Sequence, residues 1–175
     1  MRIVLIAAQS LDGFIAKHAE PGTAFTSPED KAHFRTALAD FDAGVMGGKT
    51  YRVSREAIRT RTAGRGLRVV MTRSPGSFAA EAVPGTLEFT CATPAALAED
   101  LRTRGFGSCA ILGGSQIYSL FLAGGRVDEV WLTIEPLLFG GGTPLLAHPA
   151  DVRLDLYSTA GLGAGTILAK YHVLR

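Results

Sequence analysis

Short apolar runs alternate with helix-length segments along the first two-thirds of the chain, and this alternation limits the possible folds more than any other feature. Residues 2–8 contain a nearly continuous apolar run, which is typical of a strand buried on both faces of a parallel sheet. Similar runs follow at 43–47, 68–72 and 108–112, whereas 9–26 has no regular pattern and is expected to be a loop. This order predicts a mixed, mostly parallel sheet with helices on both faces.

The last third of the chain is rich in strand signals. Residues 127–134, 154–159 and 166–174 each have strand character, and the glycine-rich segment 161–165 between the last two suits an antiparallel hairpin. The sequence therefore predicts a single α/β domain over residues 1–175, whose sheet ends in antiparallel strands.

The overall composition argues against several other classes of protein. With 47% apolar and 19% charged residues, the 175-residue chain can bury one core and is not of the disordered type. A formal net charge of +2 gives no electrostatic footprint for nucleic acid. Four scattered histidines and two distant cysteines, Cys91 and Cys109, predict no metal site and suit a reducing compartment. We expect a cytoplasmic protein without a membrane span.

Glycine is over-represented, at 21 of 175 residues, and several glycines lie where a strand passes into a helix. Three such junctions occur, at 46–50, 72–74 and 111–116, and two of them contain a Gly-Gly pair. A helix N-terminus presents unpaired N–H groups, and glycine lets a phosphate approach the backbone closely. Junctions of this kind at one edge of an open sheet indicate a ligand with several phosphates, such as a dinucleotide.

The glycine pairs also have a simpler explanation, because Gly-Gly after a strand is usually just a turn. Neither junction matches the dinucleotide pattern G-x-G-x-x-G or the phosphate-loop pattern G-x-x-x-x-G-K-[ST]. The tripeptide at 48–50 lacks the required upstream glycine, which argues against a P-loop nucleotide hydrolase. Spacing alone leaves both interpretations open.

Several motifs together resemble the dihydrofolate reductase fold, and within it the branch that contains the reductase domain of the bifunctional riboflavin-biosynthesis deaminase/reductase. They are IAA at 6–8 with SLDGFIA at 10–16, PED at 28–30 with FR at 34–35, VMGGKTY at 45–51, ILGG at 111–114 with IY at 117–118, and VDEV at 127–130 with Pro136, Gly140, Gly142, Thr143 and Pro144. The resemblance implies a three-layer α/β/α architecture and an NADPH-dependent oxidoreductase.

The resemblance also implies which residues bind NADPH. Ala8 and Ile15 match positions that line the nicotinamide pocket. The residues that match the two pyrophosphate turns are Gly47, Gly48, Lys49 and Thr50 in the first turn and Leu112, Gly113, Gly114, Ser115, Gln116 and Ile117 in the second. Thr72, Arg73 and Ser74 match the loop beside the 2′-phosphate, where a bidentate guanidinium favours NADPH over NADH.

Asp30 is the candidate catalytic residue. The order Ser27-Pro28-Glu29-Asp30 is typical of a helix start, and Asp30 matches the acid with which true dihydrofolate reductases hold the pterin and assist proton transfer. Phe34 follows one helical turn later and would pack against the substrate ring. An acid in the first turn of a helix also has a purely electrostatic reason, since it complements the helix dipole.

The first loop favours the riboflavin-type reductase instead. Its motif at 10–13, together with 127–130 and the stretch from Pro136 onward, resembles that group, whose substrate is a phosphoribosylamino-pyrimidinone. Asp12, Arg35 and Glu135 then join Phe34 as the candidate substrate contacts. Asp12 before a glycine is also an ordinary turn-former.

We therefore expect a reductase of a pyrimidine-type small molecule, most like 5-amino-6-(5-phosphoribosylamino)uracil reductase. The sequence departs from the bifunctional enzyme in two ways: it has no deaminase domain with its Cys/His zinc pattern, and it is short between 16 and 27. A dihydrofolate reductase that acts on a pterin, a nucleotide-binding protein without turnover and a purely structural or regulatory homodimer are the alternatives. Relatives of this type are often dimers, and we expect a homodimer with no nucleic-acid or membrane partner.

Overall fold

The structure, a computed structural model, describes residues 1–61 and 66–175, with the backbone alone at 59–61. The elements of this described part are, in chain order, β1 Arg2–Ser10, β2 Phe14–Lys17, α1 Pro28–Leu38, β3 Ala43–Gly47, α2 Gly48–Arg61, β4 Leu67–Met71, the 3-10 helix Pro75–Glu81, β5 Leu87–Thr90, α3 Pro94–Thr103, β6 Ser108–Ile111, α4 Ser115–Ala123, β7 Glu129–Glu135, β8 Gly142–Pro144, β9 Arg153–Gly163 and β10 Thr166–Leu174.

Eight strands form one sheet in the order β5-β4-β3-β6-β1-β7-β10-β9. Neighbours among the first six strands of this order are parallel, whereas β10 is antiparallel to β7 and β9 is antiparallel to β10. The predicted fold class, a mostly parallel α/β sheet with antiparallel C-terminal strands, is confirmed. Because parallel strands end at the same edge of a sheet, the glycine-containing junctions share one edge of the molecule.

Alternation along β1 divides the core between the two faces of the sheet. Val4 and Ile6 point to one face, where they pack with Phe41 beneath α1. Ile3 and Leu5 point to the opposite face and join the cluster that α3 and α4 cover. Each fully buried side chain of this size contributes about 1.5–3 kcal/mol. The fully apolar pattern of β1 thus follows from its central place between two helical layers.

Helix α1 begins as its sequence predicts. The Ser27 hydroxyl accepts a 3.1 Å hydrogen bond from the backbone N–H of Asp30, and Pro28 occupies the first turn. Thr93 caps α3 in the same way, with its hydroxyl accepting from the N–H of Ala96 at 3.2 Å. Both caps satisfy one of the N–H groups that a helix start leaves unpaired.

The loop expected over 9–26 contains regular structure, so that prediction was wrong in part. β1 continues to Ser10, and β2 pairs antiparallel with β8, from the other end of the chain. A four-residue strand of this kind exists only through its distant partner, which a local pattern does not reveal. In the part of the chain that is described, none of the helices is both long enough and apolar enough to cross a membrane.

Candidate active site

Two glycine turns meet at the carboxyl edge of the sheet. Gly47 ends β3, Gly113 follows β6, and these two strands are neighbours. The backbone N–H of Gly47 donates a 2.7 Å hydrogen bond to the carbonyl oxygen of Gly113. A cis peptide bond joins Gly113 to Gly114, and a Cβ on Gly114 would lie 3.3 Å from the Thr50 hydroxyl on α2. The two junctions are distant in sequence, but the tertiary structure brings them together into one surface.

Close packing explains part of the need for glycine here. A Cβ on Gly47 would lie 3.0 Å from Ile117 Cγ1, and a Cβ on Gly113 would lie 2.8 Å from the Tyr118 ring. Gly113 also has a φ of +94°, which side chains rarely tolerate. Gly48 has more room, because its nearest side-chain atom would be 3.5 Å from a Cβ. Gly47 and Gly113 are required by the junction itself, whereas a side chain at position 48 would make only ordinary contact with Thr72.

Helix α4 starts in a way that suits an anion. Gly114 occupies its N-cap, and no side chain of the described residues caps it, in contrast to Ser27 on α1 and Thr93 on α3. The backbone N–H groups of Ser115 and Gln116 therefore have no intrahelical acceptor. A nine-residue helix with an open glycine start attracts a phosphate through these N–H groups and its dipole. The two turns together thus fit the pyrophosphate of a dinucleotide.

The third junction lies beside the first, because β4 pairs with β3. The Thr72 hydroxyl accepts a 3.3 Å hydrogen bond from the N–H of Ser74, which shapes the turn after β4. Arg73 and Ser74 are exposed, as is Lys49 at the start of α2. Arg73 forms no ion pair with another residue of the described chain, so its guanidinium is accessible to an anion from solution.

The remaining cofactor candidates are partly or fully buried near the same edge. Ala8 lies near the end of β1, Ile15 lies on β2, and both are partly buried. Leu112 packs against the clusters beneath α1 and α2. The Ser115 hydroxyl donates to the carbonyl oxygen of Pro144, which links α4 to β8. Contact of these residues with a cofactor stays a prediction.

Asp30 is a buried acid on α1, with 7% of its surface exposed. Burial raises the pKa of its carboxyl above the usual value, and the negative charge of Glu135 adds to this shift, while hydrogen bonds from Thr133 and Thr26 oppose it. Thr133 belongs to β7, so the acid lies between α1 and the sheet. A buried carboxyl with a raised pKa is suited to hold and deliver a proton.

The two other candidates on α1 do not share one surface. Phe34 follows Asp30 by one helical turn and packs, partly buried, on the cluster beneath α1. Arg35 is exposed, and its position lies about 140° around the helix axis from Asp30. The structure therefore brings Phe34, but not Arg35, to the face of α1 that carries the acid.

Asp12 ties two loops together. Its carboxylate accepts hydrogen bonds from the Ser10 hydroxyl at 2.5 Å, from the N–H of Gly140 at 2.7 Å and from the N–H of Phe139 at 3.0 Å. The hydrogen bond from Ser10 is the main cause that lowers the pKa of this exposed carboxyl. Both oxygens have partners within the chain, so the turn-former interpretation accounts for Asp12. A substrate contact for it stays a prediction.

Glu135 points into the protein and not into an open pocket, and only 2% of its surface is exposed. One carboxylate oxygen accepts from the N–H and the hydroxyl of Ser27, at 2.8 and 2.9 Å. The other accepts from the Thr166 hydroxyl at 2.8 Å. Both carboxylate oxygens of Glu135 thus have partners within the chain, and a substrate contact for this acid stays a prediction.

Four hydroxyl residues around the two acids were missed by sequence reasoning as site residues. They are Thr26, Ser27, Thr133 and Thr166. Ser27 was recognised only as a helix cap, and no local motif marks the three threonines. Among the described residues, no group of three His, Cys, Asp or Glu side chains is arranged to hold a metal ion.

In a comparison with models of protein families, the model of the RibD C-terminal domain matches residues 2–168. A search among curated proteins finds none that matches. Among solved structures, a pyrimidine reductase-like protein from Corynebacterium diphtheriae superposes with a TM-score of 0.81 at 19% identity, covering 99% of this chain and 92% of that chain.

Two further solved structures share the fold. The diaminohydroxyphosphoribosylaminopyrimidine deaminase/5-amino-6-(5-phosphoribosylamino)uracil reductase of Thermotoga maritima has a TM-score of 0.79 at 17% identity, over 99% of this chain and 56% of its own. The dihydrofolate reductase of Enterococcus faecalis, complexed with NADP(H), has a TM-score of 0.68 at 19% identity, over 98% of this chain and 96% of its own. At these identities the likeness establishes a common fold.

Proposed function

Because the chain belongs to the family of the RibD C-terminal domain, we propose that it is an oxidoreductase that transfers a hydride from NADPH to a pyrimidine-type substrate. The reaction most like it is that of 5-amino-6-(5-phosphoribosylamino)uracil reductase, the activity named for the Thermotoga maritima relative. The observation that carries the proposal is the pairing of the two glycine turns through Gly47 and Gly113, beside an uncapped helix start.

Residues of all three junctions would contribute to the binding of NADPH. The N–H groups at the start of α4, together with the turn at Gly47 and Gly48, would hold the pyrophosphate. Arg73 would hold the 2′-phosphate, and Ala8 and Ile15 would line the nicotinamide pocket. The bound cofactor supplies the hydride, and the protein supplies orientation and a site from which water is excluded.

Asp30 is the group available to supply a proton in this site. Hydride addition to a carbon–nitrogen double bond leaves a negative nitrogen, which must gain a proton to complete the reduction. The raised pKa of the buried Asp30 carboxyl keeps its proton on the oxygen at higher pH than for an ordinary aspartate. Phe34, on the same face of α1, would pack against the substrate ring.

Reduction of a pterin is the second candidate function, and the environment of Asp30 favours it. The acid is buried on the first turn of α1 and interacts with Thr133 on β7, which suits recognition of a ring that carries an amide and an adjacent nitrogen. The likeness in fold to a dihydrofolate reductase, with a TM-score of 0.68, supports the same alternative.

Cofactor binding is the first test of both candidates. Energy transfer from the single tryptophan, Trp131, to bound NADPH should quench its emission, and the melting temperature should rise as NADPH is added. Oxidation of NADPH is then followed with 5-amino-6-(5-phosphoribosylamino)uracil and with dihydrofolate as competing substrates. Asp30→Asn should retain NADPH binding and lose turnover by at least about 100-fold.

Each outcome of these assays separates one alternative. Turnover of the uracil derivative supports the proposed function, and turnover of dihydrofolate alone selects the pterin reductase. Binding of NADPH without turnover of either substrate indicates a nucleotide-binding protein. Absence of binding by both NADPH and NADH at millimolar concentration would overturn the assignment as a nicotinamide-dependent reductase.

Homodimer formation through β9 is part of the same proposal. β9 is the edge strand of the large sheet, and nearly all of its eleven residues are exposed. Leu154 and Leu156 are among them, and Ile167 on the neighbouring strand is also exposed. A long apolar edge strand offers unpaired N–H and C=O groups to another copy of itself.

Two free cysteines, Cys91 and Cys109, agree with the reducing environment of the cytoplasm.

Leu156→Arg tests the dimer. In sedimentation or light-scattering experiments the unmutated chain should have twice the mass of the variant at micromolar concentration. Val83→Arg is the matched control, because Val83 is 52% exposed, against 51% for Leu156, and lies beside β5 at the opposite edge of the sheet. A monomeric mass for the unmutated chain would refute this part of the proposal.

A further inference from the structure

We propose that Glu135 is a positioning residue, which fixes Asp30 through Ser27 and places a second buried carboxyl group beside it. The inference rests on the proposed function only because that function has Asp30 supply a proton in the reaction. The arrangement itself is visible in hydrogen bonds among α1, β7 and β10.

The positional part of the proposal follows from one chain of hydrogen bonds. Glu135 accepts from both the N–H and the hydroxyl of Ser27, and the same hydroxyl accepts from the N–H of Asp30 at 3.1 Å. Thr166, at the start of β10, donates to the second carboxylate oxygen at 2.8 Å. The first turn of α1 is thus held to the ends of two strands by one side chain. Moving Glu135 would move the acid.

The electrostatic part depends on which charges surround Asp30. Glu135 on β7 opposes ionisation of Asp30, and His33 on α1 favours it. Burial is the main cause that lowers the pKa of the His33 imidazole, and the charge of Lys170 on β10 lowers it further. Glu29 on α1 has one buried oxygen without a hydrogen-bond partner among the described residues. Burial is the first cause that raises the pKa of Asp30 and the charge of Glu135 adds to it, so a proton on Asp30 avoids two buried charges in one region.

The hydrogen-bond donors are distributed unequally between the two acids. Its two oxygens receive three donated hydrogen bonds, from the Ser27 N–H, the Ser27 hydroxyl and the Thr166 hydroxyl. An ionised carboxylate only accepts, so this environment matches it. The hydroxyls of Thr133 and Thr26 lower the pKa of Asp30, but burial and the charge of Glu135 raise it. Three donated hydrogen bonds thus converge on Glu135, whereas Asp30, the acid of the candidate site, has a raised pKa.

Glu135→Gln removes the charge and retains the acceptor oxygen, so it tests the electrostatic part. The titration of Asp30 is followed by its ¹³Cγ resonance in the labelled full chain, which is identified by its loss in Asp30→Asn. We expect the titration midpoint of Asp30 to move to lower pH in Glu135→Gln. An unchanged midpoint in a folded variant would overturn the proposal. No substrate is needed, so a failure of the proposed function leaves this result interpretable.

A second measurement avoids any dependence on the variant's folding. In the unmutated chain, the ¹³Cγ resonance of Asp30 should titrate with a midpoint above the ordinary value of 3.8. A midpoint at or below that value would contradict the electrostatic part of the proposal.

Ser27→Ala tests the positional part, with Thr93→Ala as the matched control. Both variants remove a helix cap, but only Ser27 connects Glu135 to Asp30. If the enzyme turns over, Ser27→Ala should lower kcat by about tenfold or more with a smaller change in KM, and Thr93→Ala should leave both constants nearly unchanged. If the two variants change kcat and KM equally, Ser27 acts only as a helix cap, and the positional part of the proposal is overturned.

Discussion

The backbone N–H of Gly47 donates a 2.7 Å hydrogen bond to the carbonyl oxygen of Gly113, and this bond joins the two glycine turns of the candidate active site. The bond forms because β3 and β6 are neighbours in the sheet, although two helices, two strands and a 3-10 helix separate them in the chain. The geometry of the proposed pyrophosphate site therefore depends on close packing at these two glycines.

Gly113→Ala should unfold more easily than the unmutated chain, by about 2–4 kcal/mol. Its methyl group would lie 2.8 Å from the buried Tyr118 ring, at a φ of +94° that an L-residue adopts only under strain. Urea denaturation measures the difference in the free energy of unfolding. Gly76→Ala is the control, since a Cβ there meets nothing within 4 Å, and equal losses in the two variants would contradict the packing argument.

Arg73→Ala should weaken NADPH binding by about 10- to 100-fold and NADH binding by less than about twofold. A charge-assisted hydrogen bond to the 2′-phosphate is the reason, because NADH lacks that group. Quenching of Trp131 emission gives both dissociation constants. Arg126→Ala is the control, since Arg126 is also exposed but follows α4 at the opposite edge of the sheet. The 2′-phosphate assignment fails if Arg73→Ala weakens both cofactors equally.

Asp12→Ala should release the loop around Phe139 and Gly140 from the first turn of the chain. The carboxylate holds both backbone N–H groups, at 3.0 and 2.7 Å, so their amide exchange should accelerate by about tenfold or more when it is removed. Hydrogen exchange followed by mass spectrometry detects this change peptide by peptide. Asp151→Ala, a substitution of another exposed loop acid, should leave the exchange of that peptide unaltered.

Glu129→Gln should destabilise the protein at pH 7 by about 2 kcal/mol. Burial alone would raise the pKa of Glu129, but hydrogen bonds from Arg2, Tyr157 and Trp131 outweigh it and lower the pKa to about 2. A carboxyl with a lowered pKa stabilises the fold above its ordinary value of 4.5, and that contribution disappears as pH falls from 4.5 towards 2.

Urea denaturation at pH 7, 4 and 3 checks this sign. The difference between Glu129→Gln and the unmutated chain should shrink over that series. Glu99→Gln is the control, because Glu99 belongs to an exposed pair with Arg102 and should have little effect. A difference that stays constant with pH would show that Glu129 contributes through packing alone.

Local signals in the sequence predicted much of the fold correctly. The cap and proline at Ser27 and Pro28 marked the start of α1, and continuous apolar runs marked the central parallel strands. Capping and periodicity act over a few residues, so they can be recognised without knowledge of the tertiary structure. The resemblance to the reductase family, which was based on motifs spread over positions 3 to 144, is confirmed by the match over 2–168.

The sequence located the glycine pairs correctly, but the explanation that it suggested for them was incomplete. The sequence placed both pairs at strand ends and interpreted them through phosphate binding. The structure shows that Gly47 and Gly113 are needed first for contact with Ile117 and Tyr118, whatever ligand is present. A pattern of glycines does not distinguish these reasons, because each requires the same missing side chain.

The sequence by itself determined the fold class, the order of the main helices and strands of the large sheet and the acids that could take part in chemistry. Only the tertiary structure decided what those acids do. Asp12 was engaged by loop amides, Glu135 was turned inward onto Ser27, and Asp30 was buried beside that second charge. The partners of Glu135 come from α1 and β10, which meet β7 through the order of strands in the sheet. That order arises from long-range pairing, and no local periodicity carries it.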